Sequence, residues 1–295
     1  MTISALLPQQ WEKRLVDTNI HRLTNRDIDW ADMIFLSAMD VQRKSVIKIV
    51  NHVKTRGKRI VAGGPLFTGE WDKFPQIDTF VLNEGEITLP EFIQDIELGN
   101  QPQKVYSTDL YADIQNSPLP DISIINPSEY ECMSIQFSRG CPFQCDFCNV
   151  TALLGHKPRT KTAHQIINEL DQLYSAGWRR NIFFVDDNFI GNKRVIKDEI
   201  LPALIEWRKD KEGCRFITEA SINLADDEEL MNLMSQAGFV DVFIGIETPV
   251  EDSLIECNKK QNSNRDLIQS VKIMQGHGLQ VMAGFIVGFD NDPQD

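Results

Sequence analysis

Short apolar runs alternate with amphipathic stretches along most of the chain, and the alternation predicts strands and helices in turn. Arg14-Leu15-Val16-Asp17 is an apolar run closed by an acid and predicts a strand end. Asp32-Met33-Ile34-Phe35-Leu36-Ser37 has the continuous apolar character of a strand buried on both faces of a parallel sheet. Between residues 43 and 56, Val46, Ile47, Val50 and Val53 recur at helical spacing, and Gly57 stands where a C-cap falls. Lys58-Arg59-Ile60-Val61-Ala62 and Thr79-Phe80-Val81-Leu82 predict further strands. Leu89-Pro90-Glu91-Phe92-Ile93 opens a helix with proline in its first turn. Strand and helix in alternation predict a small parallel α/β domain over residues 1–98.

Residues 99–134 carry Pro102, Pro118, Pro120 and Pro127 without a sustained period and predict a connection between domains. A second alternation over 135–295 begins with the strand Cys132 to Phe137. Thr162 is placed to cap a helix with Ile166, Ile167, Leu170, Leu173 and Tyr174 on one face. Strands follow at Asn181–Val185, Arg215–Ala220, Val242–Glu247 and Leu279–Val287. Helices follow at Val195–Trp207, from Asp226, and at Leu267–Met274. Repeated βα units predict a parallel barrel, whose chemistry lies at the carboxyl ends of its strands.

Composition changes this picture little. The 295 residues are 42% hydrophobic and 25% charged, ordinary for packed cores, and no apolar run approaches the ~18 residues of a membrane span. With 43 acidic against 30 basic residues the formal charge is -13, which disfavours a nucleic acid partner. The amino terminus has no signal-peptide pattern, so a cytoplasmic setting with free thiols is expected.

Candidate chemistry concentrates in Cys141-Pro142-Phe143-Gln144-Cys145-Asp146-Phe147-Cys148, three of the six cysteines. Three thiols can hold a [4Fe–4S] cluster by three corners and leave one iron open. A zinc site would need a fourth ligand, for which Cys132 and His156 are the available residues, and no second ligand pair is present. His156 itself reads as a solvated loop residue, Cys132 and Cys214 as inert packing, and Cys257 as a thiol near the barrel mouth.

The Cys-x3-Cys-x-aromatic-Cys spacing, with Phe147 as the aromatic, resembles the radical S-adenosylmethionine (SAM) enzymes. The resemblance implies that Cys141, Cys145 and Cys148 bind a [4Fe–4S] cluster whose open iron chelates SAM, which is cleaved to a 5'-deoxyadenosyl radical. It further implies that Asp186, Asp187 and Asn188 approach the SAM amino group, that Glu219 and Glu247 lie close to SAM, and that Gly284-x-Ile286-x-Gly288 flanks adenine beside Phe147. In the first domain, the strand-end loops Ser37-Ala38-Met39, Gly63-Gly64 and Asn83-Glu84-Gly85-Glu86 resemble those of cobalamin-binding domains, with Met39 in place of the usual Leu. Alone, Gly63-Gly64 would read as a turn.

Over essentially the whole chain the pattern resembles B12-binding-domain radical SAM proteins, which include hopanoid C-2 methyltransferases and relatives of the anaerobic magnesium-protoporphyrin cyclase. This implies an α/β architecture of a Rossmann-like cobalamin-binding domain lacking its first strand, then a partial (β/α)6 barrel, in a chain shortened at both ends. It implies cobalamin-dependent methylation of an unactivated carbon on a small molecule or lipid, served by an electron donor such as flavodoxin or ferredoxin. The competing expectations are a radical cyclase, a methylthio-type transferase, or a non-catalytic protein stabilised by metal. His21 and His52 are poor candidates for a lower cobalt ligand.

Overall fold

The computed structural model describes residues 1–292, so the last three residues of the 135–295 domain lie outside it. The chain forms two compact units, Met1–Ile125 and Asn126–Asp295.

In the first unit, β1 (Met33–Ser37), β2 (Arg59–Gly63), β3 (Thr79–Val81) and β4 (Val105–Tyr106) lie side by side in that order, all parallel. Both faces are covered. Helix Arg43–Thr55 buries Val46, Val50 and Val53 with Ile60, Phe67 and Phe80 on one side, while helix Gly85–Glu97 brings Leu89 and Phe92 against Val61 and Tyr106 on the other. Each such side chain contributes roughly 1.5–3 kcal/mol by leaving water. Strand β1 pairs with β2 alone among the described residues, so its other edge is open.

Three local expectations change. Residues 14–17 form no strand, because no neighbour pairs with them; instead the Arg14 guanidinium stacks 4.4 Å from the Trp30 ring centroid and reaches Asp27 at 3.5 Å. The helix expected to open at Leu89 begins one turn earlier, at Gly85, with Pro90 inside it. Much of the 99–134 connection belongs to the first unit: it supplies β4, and it buries Tyr106, Ala112 and Ile114.

In the second unit, β5 (Cys132–Ile135), β6 (Ser138–Arg139) and β7 (Arg159–Thr160) are followed by β8 (Asn181–Phe184), β9 (Arg215–Ala220), β10 (Phe239–Glu247) and β11 (Gln280–Phe285). Five of these, the strands that the apolar runs predict, make a parallel sheet in the order β11-β10-β9-β8-β5, and β6 pairs antiparallel with β7. Alternation sorts its residues. Ile182, Phe184, Phe216, Val242 and Ile244 face the helices and are fully buried. Cys132, Phe183, Ile217, Glu219, Phe243 and Met282 point the other way and line a cavity of about 310 Å³. A wider hollow lies beside Glu228 and Leu233 on helix Glu228–Ala237 and involves none of the strand-end residues. Under the strand ends, Phe189 packs 5.7, 5.5 and 4.9 Å from the centroids of Phe137, Phe184 and Phe239.

The helix at 163–175 is capped by Thr162 as expected, with Gln165 returning the bond in a capping box. Asp226 lies two residues before its helix, at the end of the short 3-10 turn Ile222–Asp226, where it pairs with Arg265; Asp227 is the cap.

Candidate cluster and cofactor site

The three-cysteine loop follows β5 and runs between the paired strands β6 and β7. Its two ends are tied by the β6–β7 ladder, with Lys161 N–H donating to the Phe137 carbonyl at 2.8 Å and Cys141 N–H to the Gly155 carbonyl at 3.2 Å. Gly140 has φ +96°, and a β-carbon there would stand 2.9 Å from the carbonyl oxygens of both Gly155 and Lys157. Only glycine brings the chain this close just before Cys141.

All six cysteines are free thiols. Burial pushes the Cys141 and Cys145 thiols up, and the two also feel Cys148; at Cys145 the Lys259 charge acts in the opposite sense. Among the described residues, no three His, Cys, Asp or Glu side chains converge as ligands of a single ion would. Zinc holds its sulfurs at about 2.3 Å, whereas each corner thiolate of a cubane reaches its own iron. Three thiols on one loop, with an amide donor aimed at sulfur, suit the three protein corners of a cluster. That donor is the Gln261 amide, 3.7 Å from Cys145 Sγ, while the Asn188 side chain draws the Cys141 thiol down against the effect of burial.

The turn at 186–188 separates into distinct roles. Asp186 is 1% exposed and receives the Phe137 N–H at 3.1 Å, the Ser138 hydroxyl at 2.6 Å and the Ser138 N–H. Its carboxyl is occupied by backbone, and burial raises it to about 7 despite those bonds. Asn188 is also buried and accepts from Ser221 N–H at 3.2 Å. Asp187 is the exposed member, its carboxyl raised by partial desolvation. Glu219, on the cavity wall, is raised by burial and by the Asp187 charge.

Glu247 ends β10 in the left-handed region, φ +63°, where the register with β11 shifts. Such backbone costs on the order of 1–3 kcal/mol in a non-glycine residue. It turns the carboxylate onto Lys259 Nζ at 2.6 Å, while its carbonyl accepts from Ile286 N–H at 2.8 Å. Gly284 lies in β11 under the Phe243 ring, 2.7 Å from where its β-carbon would be; Ile286 and Gly288 lie beyond the strand, and Gly288, φ +107°, donates its N–H to Asp292. Phe147 is 45% exposed.

In the first unit, the structure brings the Ser37 and Gly63-Gly64 loops together: a β-carbon on Gly64, φ +92°, would meet Ser37 Oγ at 2.7 Å, and one on Gly63 the Val81 carbonyl at 2.5 Å. Met39 is exposed beside them. Glu84 and Glu86 point elsewhere. Glu84 accepts the Ala112 N–H at 2.7 Å and Glu86 the Ser117 hydroxyl at 2.8 Å, so both fasten the following segment, while Gly85 lies under Ile3. His52 bonds Asn25 at 2.7 Å.

Residues 135–295 match the Radical SAM superfamily. The chain belongs to that superfamily. A radical SAM domain implies a [4Fe–4S] cluster and SAM, groups for which the three thiols are suited. The whole chain is 44% identical to an uncharacterized methyltransferase of Synechocystis sp., covering 55% of that protein. It is 36% identical over 99% of its length to the hopanoid C-2 methylase of Rhodopseudomonas palustris, covering 56% of it. The chain therefore spans about half the length of these curated relatives. The fold matches that of the radical SAM methyltransferase TsrM from Kitasatospora setae, solved with cobalamin and a [4Fe-4S] cluster, with TM-score 0.74, 15% identity and coverage of 90% of this chain and 60% of that one. Among the described residues no helix is long and apolar enough to cross a membrane.

The sequence did not single out Lys259, Gln261 or the buried Lys161–Glu169 pair.

Proposed function

We propose that this radical SAM protein takes part in cobalamin-dependent methylation of an unactivated carbon on a hopanoid-like polycyclic lipid, in the cytoplasm, with flavodoxin or ferredoxin as electron donor. The observation that carries the reading is the reach of the likeness to hopanoid C-2 methylase, which runs through both units instead of stopping at the cysteine loop.

Cys141, Cys145 and Cys148 would hold the cluster. Once bound, cluster and SAM supply a carbon-centred radical able to take hydrogen from an unactivated C–H bond. The protein's part is to position and to exclude water. Asp187, as the exposed carboxylate of its turn, is the group there for the SAM amino nitrogen, with Asp186 and Asn188 keeping that turn in place. Phe147, Gly284 and Ile286 offer an apolar surface for adenine, Gly288 turns the chain after them, and Glu247 presents a fixed carboxylate. The cavity beside Glu219 is lined mainly by Phe183, Ile217, Phe243 and Met282, which suits a hydrocarbon. Ser37, Met39, Gly63 and Gly64 would form the surface for cobalamin, and Glu84 and Glu86, tied to Ala112 and Ser117, would act on it only by holding the neighbouring segment.

The test is anaerobic incubation of reconstituted protein with SAM, methylcobalamin, a reductant and a hopanoid hydrocarbon. The expected result is 5'-deoxyadenosine together with a hopanoid heavier by one methylene. A new ring or a methylthio product would favour cyclase or methylthio transfer, and no 5'-deoxyadenosine would refute radical chemistry. In the same assay Asp187→Ala should weaken SAM binding more than Asp226→Ala, since Asp226 is committed to Arg265; equal losses contradict the placement.

A further inference from the structure

We infer that the loop from Cys257 to Asn262 sets the electron affinity of the cluster, with Lys259 and Gln261 as the positioning residues responsible. The inference rests on the cluster assignment for Cys141, Cys145 and Cys148.

Four consecutive residues of the cysteine loop meet this segment. Asn258 Nδ2 donates to the Gln144 carbonyl at 2.6 Å, Gln261 Nε2 approaches Cys145 Sγ at 3.7 Å, Asp146 N–H donates to the Cys257 carbonyl at 3.1 Å, and Lys259 Nζ lies 5.7 Å from the Phe147 centroid. The segment is itself pinned: buried Asn262 donates through Nδ2 to the carbonyls of Gly245 and Ile246 at 3.0 and 2.9 Å. Gly245 makes the room, since a β-carbon there would lie 2.2 Å from Glu247 Oε1 and 2.9 Å from Lys259 Nζ.

The physics gives this arrangement a direction. A hydrogen-bond donor aimed at a ligand sulfur and a cation nearby both favour the cluster with one more electron, because each stabilises negative charge on the sulfur. Lys259 and Glu247 are little exposed, with 11% and 9% of their side chains accessible, so water screens them poorly. Removing the lysine charge would leave the Glu247 carboxylate facing Cys145 without compensation.

The experiment is a redox titration of the reconstituted protein followed by electron paramagnetic resonance, with iron and sulfide measured on each sample. Lys259→Met and Gln261→Leu should each retain iron and shift the midpoint to more negative potential. The expected shift is on the order of tenfold in the reduction equilibrium, about 59 mV for one electron. Lys259→Arg should restore the parent value, and Lys260→Met, at an exposed neighbour, should leave it unchanged. If Lys259→Met fails to load, Gln261→Leu decides. Unchanged potentials at full iron load, or an equal shift in Lys260→Met, would overturn the inference. A parent chain without iron and sulfide would instead overturn the cluster assignment, and the metal analysis reads that separately.

Discussion

Alanine at Cys145 is expected to abolish cluster assembly, leaving a chain that takes up little of the roughly four iron per molecule expected of the parent after anaerobic reconstitution. Cys145 is the middle thiol of the loop and the one whose sulfur meets the Gln261 amide. Without it two corners remain, separated along the chain by the whole Cys141–Cys148 span, and a second iron is left without a protein ligand. Cys214 supplies the contrast. It is buried behind the sheet with its thiol toward the Trp178 carbonyl at 3.7 Å, so Cys214→Ala should keep the full iron load. Iron retained in Cys145→Ala and lost in Cys214→Ala would show that the ligands have been misassigned.

The second large effect concerns pH. Asp186 has an ordinary carboxyl value of 3.8 and stands at about 7 when folded, because burial disfavours its charge. A raised acid stabilises the fold fully below its unfolded value, and that contribution is lost as pH rises through the folded one. The window is therefore pH 4 to 7, and the three-unit difference corresponds to roughly 4 kcal/mol. Glu169, Asp187 and Glu219 are raised as well and act in the same sense, so the informative comparison is with Asp186→Asn. Urea midpoints measured from pH 4 to 8 should fall more steeply in the parent than in that variant; parallel curves would count against a buried, proton-holding Asp186. Asp186→Leu should be worse at every pH, because it strands the Phe137 and Ser138 N–H groups at about 1–3 kcal/mol each.

Local pattern carried several strands, of which β2 is buried through its middle, β1 only partly, and β8 chiefly on the face toward the helices. The apolar runs at 32–37, 58–62 and 181–185 each became a strand, although the first lies at a sheet edge with its residues only partly buried, not enclosed on both faces as its run predicts. The cysteine loop was legible for a different reason, since its three thiols fall within eight residues of one another. Strand β4 was not, because two residues have no period, and Tyr106 is buried only by its neighbours. Asp186 and Asp187 look alike as letters. Which carboxylate turns inward depends on where the Phe137–Ser138 backbone lies, 48 residues away from Asp186 at Ser138. Lys259 and Gln261 were hidden by the same distance, their partners in the cysteine loop lying up to 116 residues earlier. Residues 14–17 show the converse, an apolar run that no strand adjoins.

The β6–β7 ladder has a bearing on how iron enters the protein. Joining the ends of a flexible excursion costs entropy that grows slowly with its length, about 0.6 kcal/mol per doubling. In a zinc finger that cost falls on the metal, and the chain stays unfolded until the ion arrives. Here Ser138–Thr160 and Arg139–Arg159 pair through backbone groups alone, and the Gly140 approach to Gly155 and Lys157 needs no sulfur. The ends of the 140–158 excursion are thus closed by folding itself. For a cluster held at Cys141, Cys145 and Cys148, the cost of closing this loop would therefore be met by backbone pairing and not by the metal.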